Sequence, residues 1–457
     1  MNNTSIFPAS FKDPAGFIFL YEGIYYRQVN HSYAEDYDLL IGSGLYQRLV
    51  TQKKLIAHTE VTDIKADKNT WYKTLLPEQL SFISYPYEWG FEQLKDASLL
   101  TLNIQLEALK YGMSLKDATP FNIQWIEGKP VFIDTLSFEK YKENNPWIAY
   151  KQFCETFLAP LLLMHYRNND LNKLLVNFPN GIPIPLTASL LPFKTKLNLP
   201  IFLHIHLHAK LQKRYKEDNP QRKSHLSTKQ LINIINSLRN LIKKLSVPEN
   251  KTNWNNYYDE TILSKEYLSE KQKLVSDMLS LIRFKTAVDL GANTGEFSLM
   301  LCHKAEKVIA VDFDSACINN LYLHAKAKKI TNLYPLVIDL SNPSPAIGWA
   351  NEERNSFWQR INADLIMALA LVHHLAISFN LNFSLIADLL SKKTTYLLIE
   401  FVPKNDPKVQ QLLRHRKDVF ENYTEEAFEK KFSAYFDITK KQIIETTSRV
   451  LYLMKRK

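Results

Sequence analysis

Two glycines stand four residues apart in the stretch "AVDLGANTGEFS", residues 287–298. The chain holds only 11 glycines in 457 residues, so a pair in one turn indicates backbone conformations or close approaches that a Cβ would forbid. Gly291 and Gly295 follow an apolar run that ends in Asp289. Asn293 lies between the glycines and belongs to a residue type that tolerates left-handed backbone. The pattern predicts a strand, a tight turn and a helix that hold a ligand close to the backbone.

The acid before the turn limits which ligand the turn can hold. Dinucleotide-binding turns have the spacing G-x-G-x-x-G, whereas this turn is G-x-N-x-G with Asp289 two residues before it. A carboxylate at that point would repel a pyrophosphate and attract an ammonium or a sulfonium group. The charge therefore favours S-adenosylmethionine over NAD.

Two further acids follow apolar runs, Asp312 in "VIAVDFD" and Asp339 in "LVIDL". The carboxyl ends of parallel strands meet at one edge of a sheet, where ligands of open α/β folds bind. At that edge Asp312 can accept both ribose hydroxyls, and Asp339 can accept a hydrogen bond from the adenine amine. A single acid at a strand end is as often a helix or turn cap. Three of them beside a glycine turn predict a nucleoside-containing ligand.

The elements that would carry these acids alternate regularly from residue 266 onward. Near-continuous apolar runs are typical of parallel strands buried on both faces, and two final strands with a short turn between them predict an antiparallel hairpin. We therefore predict an α/β fold in this part of the chain, a Rossmann-like sheet closed by that hairpin. The predicted helices are 267–282, 296–304 and 315–328, and the predicted strands are 286–290, 307–311, 333–337, 363–370, 395–401, 436–444 and 449–454.

Composition predicts a globular protein in a reducing compartment. The three cysteines form no CxxC pair, which excludes a disulfide scaffold and a cysteine zinc knuckle. The N-terminus has no signal-peptide pattern, and no apolar stretch is long enough to span a bilayer. The net charge of +10 lies partly in runs typical of solvated helix faces. We expect a soluble cytoplasmic protein without a membrane span, and we do not expect nucleic-acid binding.

One histidine run raises the question of a metal. His204, His206 and His208 alternate in "FLHIHLHAK" and would share one face of a strand, if this segment is a strand. No carboxylate or cysteine with a ligand spacing accompanies them, so we predict no metal site.

Prolines interrupt the chain near its middle. Five of them between residues 178 and 200 break any long element, and basic helices follow to about residue 247. We predict an N-terminal α+β module over residues 1–178, a proline-interrupted and basic helical linker over 179–256, and the Rossmann-like domain over 257–457. Within the first module, the pattern predicts hairpins at 17–29 and 123–133 and a long helix at 94–111.

The C-terminal motifs resemble a known family. "VDLGANTGEFS", "AVDFD", "VIDLSNPSP" and "ADLIMALALVHHL" resemble the successive motifs of class I S-adenosylmethionine-dependent methyltransferases, over about residues 266–457. The chain departs from the common pattern at Asn293, where a glycine is usual. More narrowly, "FISYPYEW", "LKDATPFN", "GWANEER", "ALVHHLAIS" and "IEFVPK" resemble rhizobial nodulation methyltransferases over the whole chain length.

This resemblance implies a cofactor site residue by residue. The cofactor-binding residues that it implies are Asp289, Gly291, Asn293 and Gly295 at the methionine part, Asp312 at the ribose, and Asp339 with Leu340 at the adenine.

Three titratable residues are candidate bases. Methyl transfer from a sulfonium mainly requires alignment of donor and acceptor, yet an oxygen or nitrogen acceptor has to lose a proton. His373 and His374 follow the fourth predicted strand, and Glu400 ends the fifth. The alternative for the histidines is that one caps a turn and the other packs.

The loop 341–354 between the third and fourth predicted strands is long and rich in turn residues. Trp349, Asn351 and Arg354 are candidates for residues that select the methyl acceptor. A plain surface loop is the equal alternative.

A second polar set lies in the N-terminal module. "LKDATPFNIQWIEGKPVFID" contains Asp117, Asn122 and Asp134. It resembles the catalytic loop and metal-binding Asp of protein-kinase-like and aminoglycoside-phosphotransferase-like folds, in which the first Asp orients a hydroxyl and the others hold magnesium. The chain departs from that pattern because it has no clear glycine-rich phosphate loop and no lysine on the corresponding strand. Arg27 is the candidate for the position of that lysine. Magnesium and ATP are expected only if this module is an active phosphotransferase.

The combined prediction is an S-adenosylmethionine-dependent methyltransferase that acts on oxygen or nitrogen of an unidentified acceptor. One alternative is a phosphotransferase-like enzyme whose C-terminal domain only binds S-adenosylmethionine. The other is a non-catalytic binding protein.

Overall fold

The computed structural model of the chain describes residues 5–215, 226–247, 265–414, 418–445 and 447–457. The chain divides into two units. The N-terminal unit comprises Met1–Pro248 and Pro345–Asn355, and the C-terminal unit comprises Glu249–Ser344 and Ser356–Lys457. The division between residues 248 and 249 falls inside the segment 179–256 that we predicted as a linker. No sequence pattern predicted that 345–355 would belong to the N-terminal unit.

The N-terminal unit is built from short strands and helices. Its strands are β1 (Ser5–Ile6), β2 (Gly16–Tyr21), β3 (Ile24–Asn30), β4 (His58–Val61), β5 (Trp71–Pro77), β6 (Met113–Leu115), β7 (Ile123–Ile126), β8 (Lys129–Phe132) and β9 (Phe138–Lys140). Its helices are α1 (Ala34–Gly42), α2 (Leu45–Thr51), α3 (Phe91–Lys110), α4 (Tyr150–Phe153), α5 (Ala159–Tyr166), α6 (Leu174–Asn177), α7 (Ile184–Leu190), α8 (Leu199–Ile201), α9 (His208–Tyr215) and α10 (Thr228–Lys244).

Among the described residues, one antiparallel sheet of the N-terminal unit has the strand order β1-β2-β3-β5-β4. Helices α1 and α2 connect β3 to β4, and α3 follows the sheet in the chain. Both hairpins predicted from the sequence are present, as β2–β3 and β7–β8. Helix α3 buries an apolar stripe that includes Leu94, Ala97 and Leu102, which is the face that its 3.6-residue period predicts.

The histidine run forms a helix and not a strand. Residues Phe202–Leu207 form a π-helical turn that continues into α9. Ile201, Ile205 and Ala209 are buried at intervals of four residues, so burial of this apolar stripe decides the conformation. The three histidines therefore do not share a strand face. In the part of the chain that the structure describes, no group of three or more His, Cys, Asp or Glu side chains could hold a metal ion.

The C-terminal unit contains the predicted α/β sheet. Its strands are β10 (Thr286–Leu290), β11 (Lys307–Asp312), β12 (Leu333–Val337), β13 (Ala363–Ala368), β14 (Thr394–Phe401), β15 (Phe436–Ile443) and β16 (Val450–Arg456). Its helices are α11 (Lys265–Ser280), α12 (Glu296–Cys302), α13 (Ser315–Lys328), α14 (Phe357–Arg360), α15 (Phe383–Ser391), α16 (Pro407–Leu413) and α17 (Glu425–Phe432).

The strand order of this sheet, within the described ranges, is β12-β11-β10-β13-β14-β16-β15. The strands β10 to β14 are parallel, and β16 lies antiparallel between β14 and β15. Counted within the unit, the order is 3-2-1-4-5-7-6. The prediction of an α/β fold with a Rossmann-like sheet closed by an antiparallel hairpin is confirmed for this unit.

Burial explains why the parallel strands read as apolar runs. Val308, Ala310 and Val311 of β11 and Leu365, Ile366 and Met367 of β13 are all nearly inaccessible to solvent. Each of these side chains except that of Ala310 contributes roughly 1.5–3 kcal/mol by burial. The edge strand β15 instead alternates, after the buried Phe436, between exposed and partly buried positions, as expected for a strand with one covered face. Within the described ranges, no helix has the length and apolar character needed to cross a bilayer.

Candidate active site

The glycine turn joins β10 to α12 and lies at the carboxyl edge of the sheet. Gly291 has φ +80°, Asn293 φ +49° and Gly295 φ +89°, so all three adopt the left-handed backbone that these residue types allow most readily. The amide N–H groups of Gly291 and Ala292 both donate to the Val311 carbonyl at 2.9 Å. The turn is thereby held against the end of the neighbouring strand.

The two glycines meet different constraints. A Cβ on Gly295 would lie 2.2 Å from Leu321 Cδ1, so Gly295 is needed for packing of α12 against α13. A Cβ on Gly291 would meet only the Leu371 side chain, at an ordinary contact distance of 3.5 Å. A Cβ on Gly291 would therefore fit without a clash, and the left-handed backbone is what favours glycine at this position.

Asp289 is a buried carboxylate directly before the turn. It is 3% exposed, and its Oδ2 accepts a hydrogen bond of 2.6 Å from Ser298 Oγ of α12. Burial raises the pKa of Asp289 to about 7, an effect that Ser298 only partly offsets. A cation placed beside this carboxyl would stabilise its charged form.

Asp312 ends β11 and is tied to the same turn. Its Oδ2 accepts a hydrogen bond of 2.8 Å from the Asn293 amide, and its Oδ1 accepts one of 2.9 Å from the Asp314 amide. Burial raises the pKa of Asp312 to about 6. The structure thus brings together Asp312, Asn293 and the two glycines, as the sequence analysis predicted.

Asp339 and Leu340 lie just beyond β12. Asp339 Oδ1 accepts hydrogen bonds from the Ser341 amide and hydroxyl at 2.9 and 2.6 Å, and the Ile338 amide donates to the Asp312 carbonyl at 2.8 Å. Leu340 lines an apolar cavity of about 130 Å³ together with Leu290, Leu371 and Trp358. The third acid therefore has an apolar neighbour that could contact a planar ring.

His373 and His374 follow β13, and their ring centroids lie 4.1 Å apart. His373 is fully buried, and neither of its ring nitrogens has a hydrogen-bond partner among the described residues. Burial lowers the pKa of His373 well below its ordinary value, and it lowers the pKa of His374 to about 4. Both imidazoles are therefore neutral near pH 7 and can accept a hydrogen bond.

Glu400, near the end of β14, has a different environment. It is fully buried, with its Oε2 2.6 Å from Lys271 Nζ and its Oε1 3.1 Å from the Tyr267 hydroxyl. The guanidinium of Arg449 lies 3.4 Å from Oε1 and forms two further hydrogen bonds, of 2.7 and 3.1 Å, with Asp406. Burial alone would raise the pKa of Glu400, but Lys271 and Arg449 hold it below its ordinary value.

This charge network contains two cations and two carboxylates. Lys271 and Tyr267 belong to α11, Arg449 precedes β16 and Asp406 precedes α16. The sequence analysis did not identify any of these four residues. Polar residues on an amphipathic helix look like a solvated face, and a buried ion pair between distant segments has no local signature.

The three predicted acceptor-selecting residues lie in the segment Pro345–Asn355 of the N-terminal unit. Trp349 is 74% exposed, and Asn351 has a left-handed backbone with φ +60°. The Arg354 guanidinium lies 3.8 Å from the centroid of the Phe121 ring. A role of these residues in acceptor selection stays a prediction.

The second polar set, in the N-terminal unit, also comes together. Arg27 of β3 forms an ion pair of 2.5 Å with Asp134 Oδ1. The Ser137 hydroxyl donates to Asp134 Oδ2, and Asn122 Nδ2 donates to the same hydroxyl at 3.1 Å.

Asp117 completes this set. Its Oδ1 accepts a hydrogen bond of 2.7 Å from Gln152 Nε2. Burial and the nearby Asp134 raise the pKa of Asp117. We call Asp117, Asn122, Asp134 and Arg27 the Asp117 cluster.

Three comparisons relate the chain to known proteins. No model of a protein family matches the sequence. The nodulation protein NoeA of Rhizobium meliloti (strain 1021) is 32% identical over 456 residues, which cover 98% of this chain and 95% of NoeA. The solved structure of the N-methyltransferase NodS from Bradyrhizobium japonicum WM9 is similar over 42% of this chain and 98% of NodS, with 11% identity and a TM-score of 0.32. The bifunctional kinase-methyltransferase WbdD is similar over 48% of this chain and 46% of WbdD, with 17% identity and a TM-score of 0.29.

Proposed function

The chain belongs to the family of the nodulation protein NoeA, and we propose that it is an S-adenosylmethionine-dependent methyltransferase. The observation that carries the proposal is the position of three carboxylates at the carboxyl ends of three adjacent parallel strands. Asp289 is the penultimate residue of β10, Asp312 ends β11 and Asp339 follows β12, at the sheet edge where open α/β folds bind their ligands.

The residues present fit this cofactor. Gly291 adds no side chain to the turn, so that a ligand can approach the backbone amide and carbonyl groups there. Asp289 is a buried carboxyl two residues before Gly291, and the ammonium or sulfonium of the ligand would supply the positive charge that its ionised form needs. A pyrophosphate would meet the opposite sign of interaction at the same place.

Asp312 retains hydrogen-bonding capacity for a ribose. Its oxygens accept hydrogen bonds from the Asn293 and Asp314 amides, and the Phe313 amide contributes a further one. These amides fix the carboxylate, and because its two oxygens together can accept about four hydrogen bonds, we propose that the remaining capacity serves a ribose hydroxyl. Leu340 and the apolar cavity suit the adenine ring.

When bound, S-adenosylmethionine supplies an electrophilic methyl group on its sulfonium. The protein then has to hold the acceptor atom in line with the bond between the methyl group and sulfur, in a pocket that excludes water. We propose that a nitrogen of His373 accepts the proton that the acceptor loses, because both ring nitrogens are buried without a partner among the described residues. Glu400 is already paired with the cations Lys271 and Arg449, which hold its pKa below the ordinary value, so we assign it a positioning role and not that of a base.

A calorimetric comparison of nucleotides tests the proposal. We expect the protein to bind S-adenosylhomocysteine and to show no comparable heat with NADH. Tight NADH binding without a response to S-adenosylhomocysteine would overturn the assignment. Methyl transfer from a labelled donor into candidate acceptors, followed by mass spectrometry, then distinguishes an enzyme from a protein that only binds the cofactor. The acceptor is unidentified, and both oxygen and nitrogen acceptors belong in the panel.

A second candidate function concerns the N-terminal unit. The Asp117 cluster and the strand order β1-β2-β3-β5-β4 support a kinase-like module, in which Asp117 would orient a hydroxyl and Asn122 with Asp134 would hold magnesium of a bound ATP. In its present pairing Asp134 is neutralised by Arg27, so a metal would have to replace that contact.

Titration with Mg²⁺ and ATP tests this second function. Binding that Asp134→Asn and Asn122→Ala weaken, and that Glu127→Gln at the exposed β7–β8 turn does not, would support the phosphotransferase-like module. Absence of any magnesium-dependent ATP binding would remove it, and the methyltransferase proposal would be unaffected.

A further inference from the structure

The segment Pro345–Asn355 forms a compact hairpin in the N-terminal unit. The amides of Ile347 and Arg354 each donate to the other's carbonyl at 3.1 Å. Between them, Trp349–Asn351 form a single 3-10 turn in which Ala350 and Asn351 have left-handed backbones. A non-glycine residue rarely adopts this conformation without stabilising contacts, so we expect specific contacts to hold the hairpin in its conformation.

Glu353 contacts residues within the hairpin and one residue outside it. Its side chain is about 7% exposed and forms ion pairs with Lys12 and with Arg354, the latter at 3.4 Å. Its Oε1 also accepts a hydrogen bond of 2.7 Å from the Trp349 amide. Lys12 belongs to the loop between β1 and β2, so this carboxylate joins the hairpin to the strand sheet of the unit.

The next two residues fasten the hairpin to aromatic rings. The Arg354 guanidinium stacks 3.8 Å from the centroid of the Phe121 ring, and the Asn355 amide donates to the Tyr85 hydroxyl at 3.1 Å. The rings of Tyr85 and Tyr87 lie 6.4 and 6.3 Å from that of Phe121. Phe121 is adjacent to Asn122, in the loop that also carries Asp117.

One hairpin therefore contacts the β1–β2 loop, the Tyr85–Tyr87 segment and the loop of Asp117 and Asn122. We propose that the Ile347–Arg354 hairpin is a strap that holds the Asp117–Asn122 loop and restricts access to the Asp117 cluster. This inference rests on the second candidate function, for which the ligand is a phosphorylated nucleotide with a divalent cation. Release of the strap would admit that ligand.

Limited proteolysis reports on the strap without any ligand. Trypsin can cut the Arg354–Asn355 bond only when Arg354 leaves Phe121. Phe121→Leu and Tyr85→Phe should each speed this cut by about fivefold or more, given the usual strength of a desolvated cation–π contact or a buried hydrogen bond. Lys53→Ala breaks only an exposed ion pair with Glu127 in the same unit and should leave the rate unchanged. Mass spectrometry of the full chain resolves this bond from other cuts.

Carbodiimide labelling of the Asp117 carboxyl provides the second measurement. If the strap restricts access, labelling should rise in Phe121→Leu and Tyr85→Phe and stay at the wild-type level in Lys53→Ala. Unchanged cleavage, or faster cleavage with unchanged labelling, would overturn the strap.

Addition of Mg²⁺ and ATP separates the two hypotheses. Protection of Asp117 that is stronger in the released variants than in wild type supports both. If labelling increases in the variants and Mg²⁺ with ATP does not reduce it, the strap is supported and nucleotide binding is contradicted. If Mg²⁺ and ATP protect Asp117 equally in all variants and cleavage is not faster, nucleotide binding is supported and the strap is contradicted.

Discussion

Lys271 Nζ lies 2.6 Å from Glu400 Oε2 in the interior of the C-terminal unit, where neither side chain is more than 3% exposed. The pair joins the helix before the glycine turn to the strand after the candidate base. Because Tyr267 and Arg449 contact the same carboxylate, Glu400 is fixed from three directions. The pair is a rigid support for the edge of the sheet at which the cofactor is proposed to bind.

Removal of one partner from this buried pair should be strongly destabilising. Lys271→Met leaves Glu400 with less compensation, and we expect the free energy of unfolding to fall by about 3–5 kcal/mol. The double variant Lys271→Met, Glu400→Leu should recover part of that loss. Lys392→Ala, which removes an exposed pair with Asp388, should cost less than about 1 kcal/mol. Equal effects of the buried and exposed changes in urea unfolding would contradict this assignment.

The buried acids should give stability a distinct pH dependence. Burial raises the pKa of Asp289 to about 7 and that of Asp312 to about 6. From about pH 4 upward the unfolded chain has released these protons while the folded protein keeps them. Each acid therefore lowers the free energy of unfolding as pH rises towards its folded pKa, by about 1.4 kcal/mol per pH unit. Above about pH 8 this contribution is constant, because both acids are then ionised in the folded protein as well.

Asp289→Asn isolates this effect. The difference in unfolding free energy between wild type and Asp289→Asn should change between about pH 4.5 and 8 and become constant above. Denaturant titrations at several pH values measure it. A difference that does not vary with pH would show that Asp289 titrates normally.

Loss of the Asp312 carboxylate should weaken cofactor binding. Asp312→Ala should reduce the affinity for S-adenosylmethionine and S-adenosylhomocysteine by about 1.5–3 kcal/mol, the usual value of a hydrogen bond to a charged group. Asp388→Ala, on the exposed face of α15, serves as the control. Calorimetry that finds equal affinity in wild type and Asp312→Ala would remove Asp312 from the site.

The two glycines of the turn should respond differently to alanine. Gly295→Ala places a Cβ 2.2 Å from Leu321 Cδ1, so we expect a loss of about 2–4 kcal/mol of stability from overpacking and the left-handed backbone together. Gly291→Ala meets no such contact and should cost about 1 kcal/mol. Its main effect should be weaker binding of S-adenosylhomocysteine, measured on the folded protein. Equal destabilisation by both substitutions would argue against this difference between the two glycines.

The histidine pair should affect turnover more than binding. Alanine at His373, the proposed base, should slow methyl transfer by roughly a hundredfold or more while cofactor affinity stays near wild type. The loss should shrink at high pH for a phenol or amine acceptor, which then ionises unaided, and should persist for a sugar hydroxyl. Full activity of a His373→Ala, His374→Ala double variant would leave alignment alone as the mechanism.

Local patterns predicted the elements of the C-terminal unit closely. The apolar runs at 307–311 and 333–337 correspond to β11 and β12 within one residue, because strands buried on both faces need continuous apolar sequence. The strand-end acids and the glycine turn also follow from local sequence. Their proximity in space follows from parallel strands whose ends share one edge.

Long-range polar contacts were beyond that reasoning. The residues next to Lys271 in the sequence are typical of an exposed helix face. Only the fold brings the lysine into contact with Glu400. The alternation of histidines with apolar residues is compatible with a strand. The segment is helical because Ile201 and Ile205 are buried on one face of a helix. In the N-terminal unit, the resemblance to kinase-like folds pointed to Asp117, Asn122 and Asp134, but not to their hydrogen bonds with Ser137 and Gln152.

The strap segment makes the polypeptide pass from one unit to the other three times, at residues 248–249, 344–345 and 355–356. A truncation at the first of these points would produce a fragment 1–248 without its strap and a fragment 249–457 with an orphaned hairpin. In the intact chain, the additional tethers raise the effective concentration of the strap near its binding surface. Recombination at any single boundary would leave one unit incomplete, so we expect the two units to be inherited together as one block.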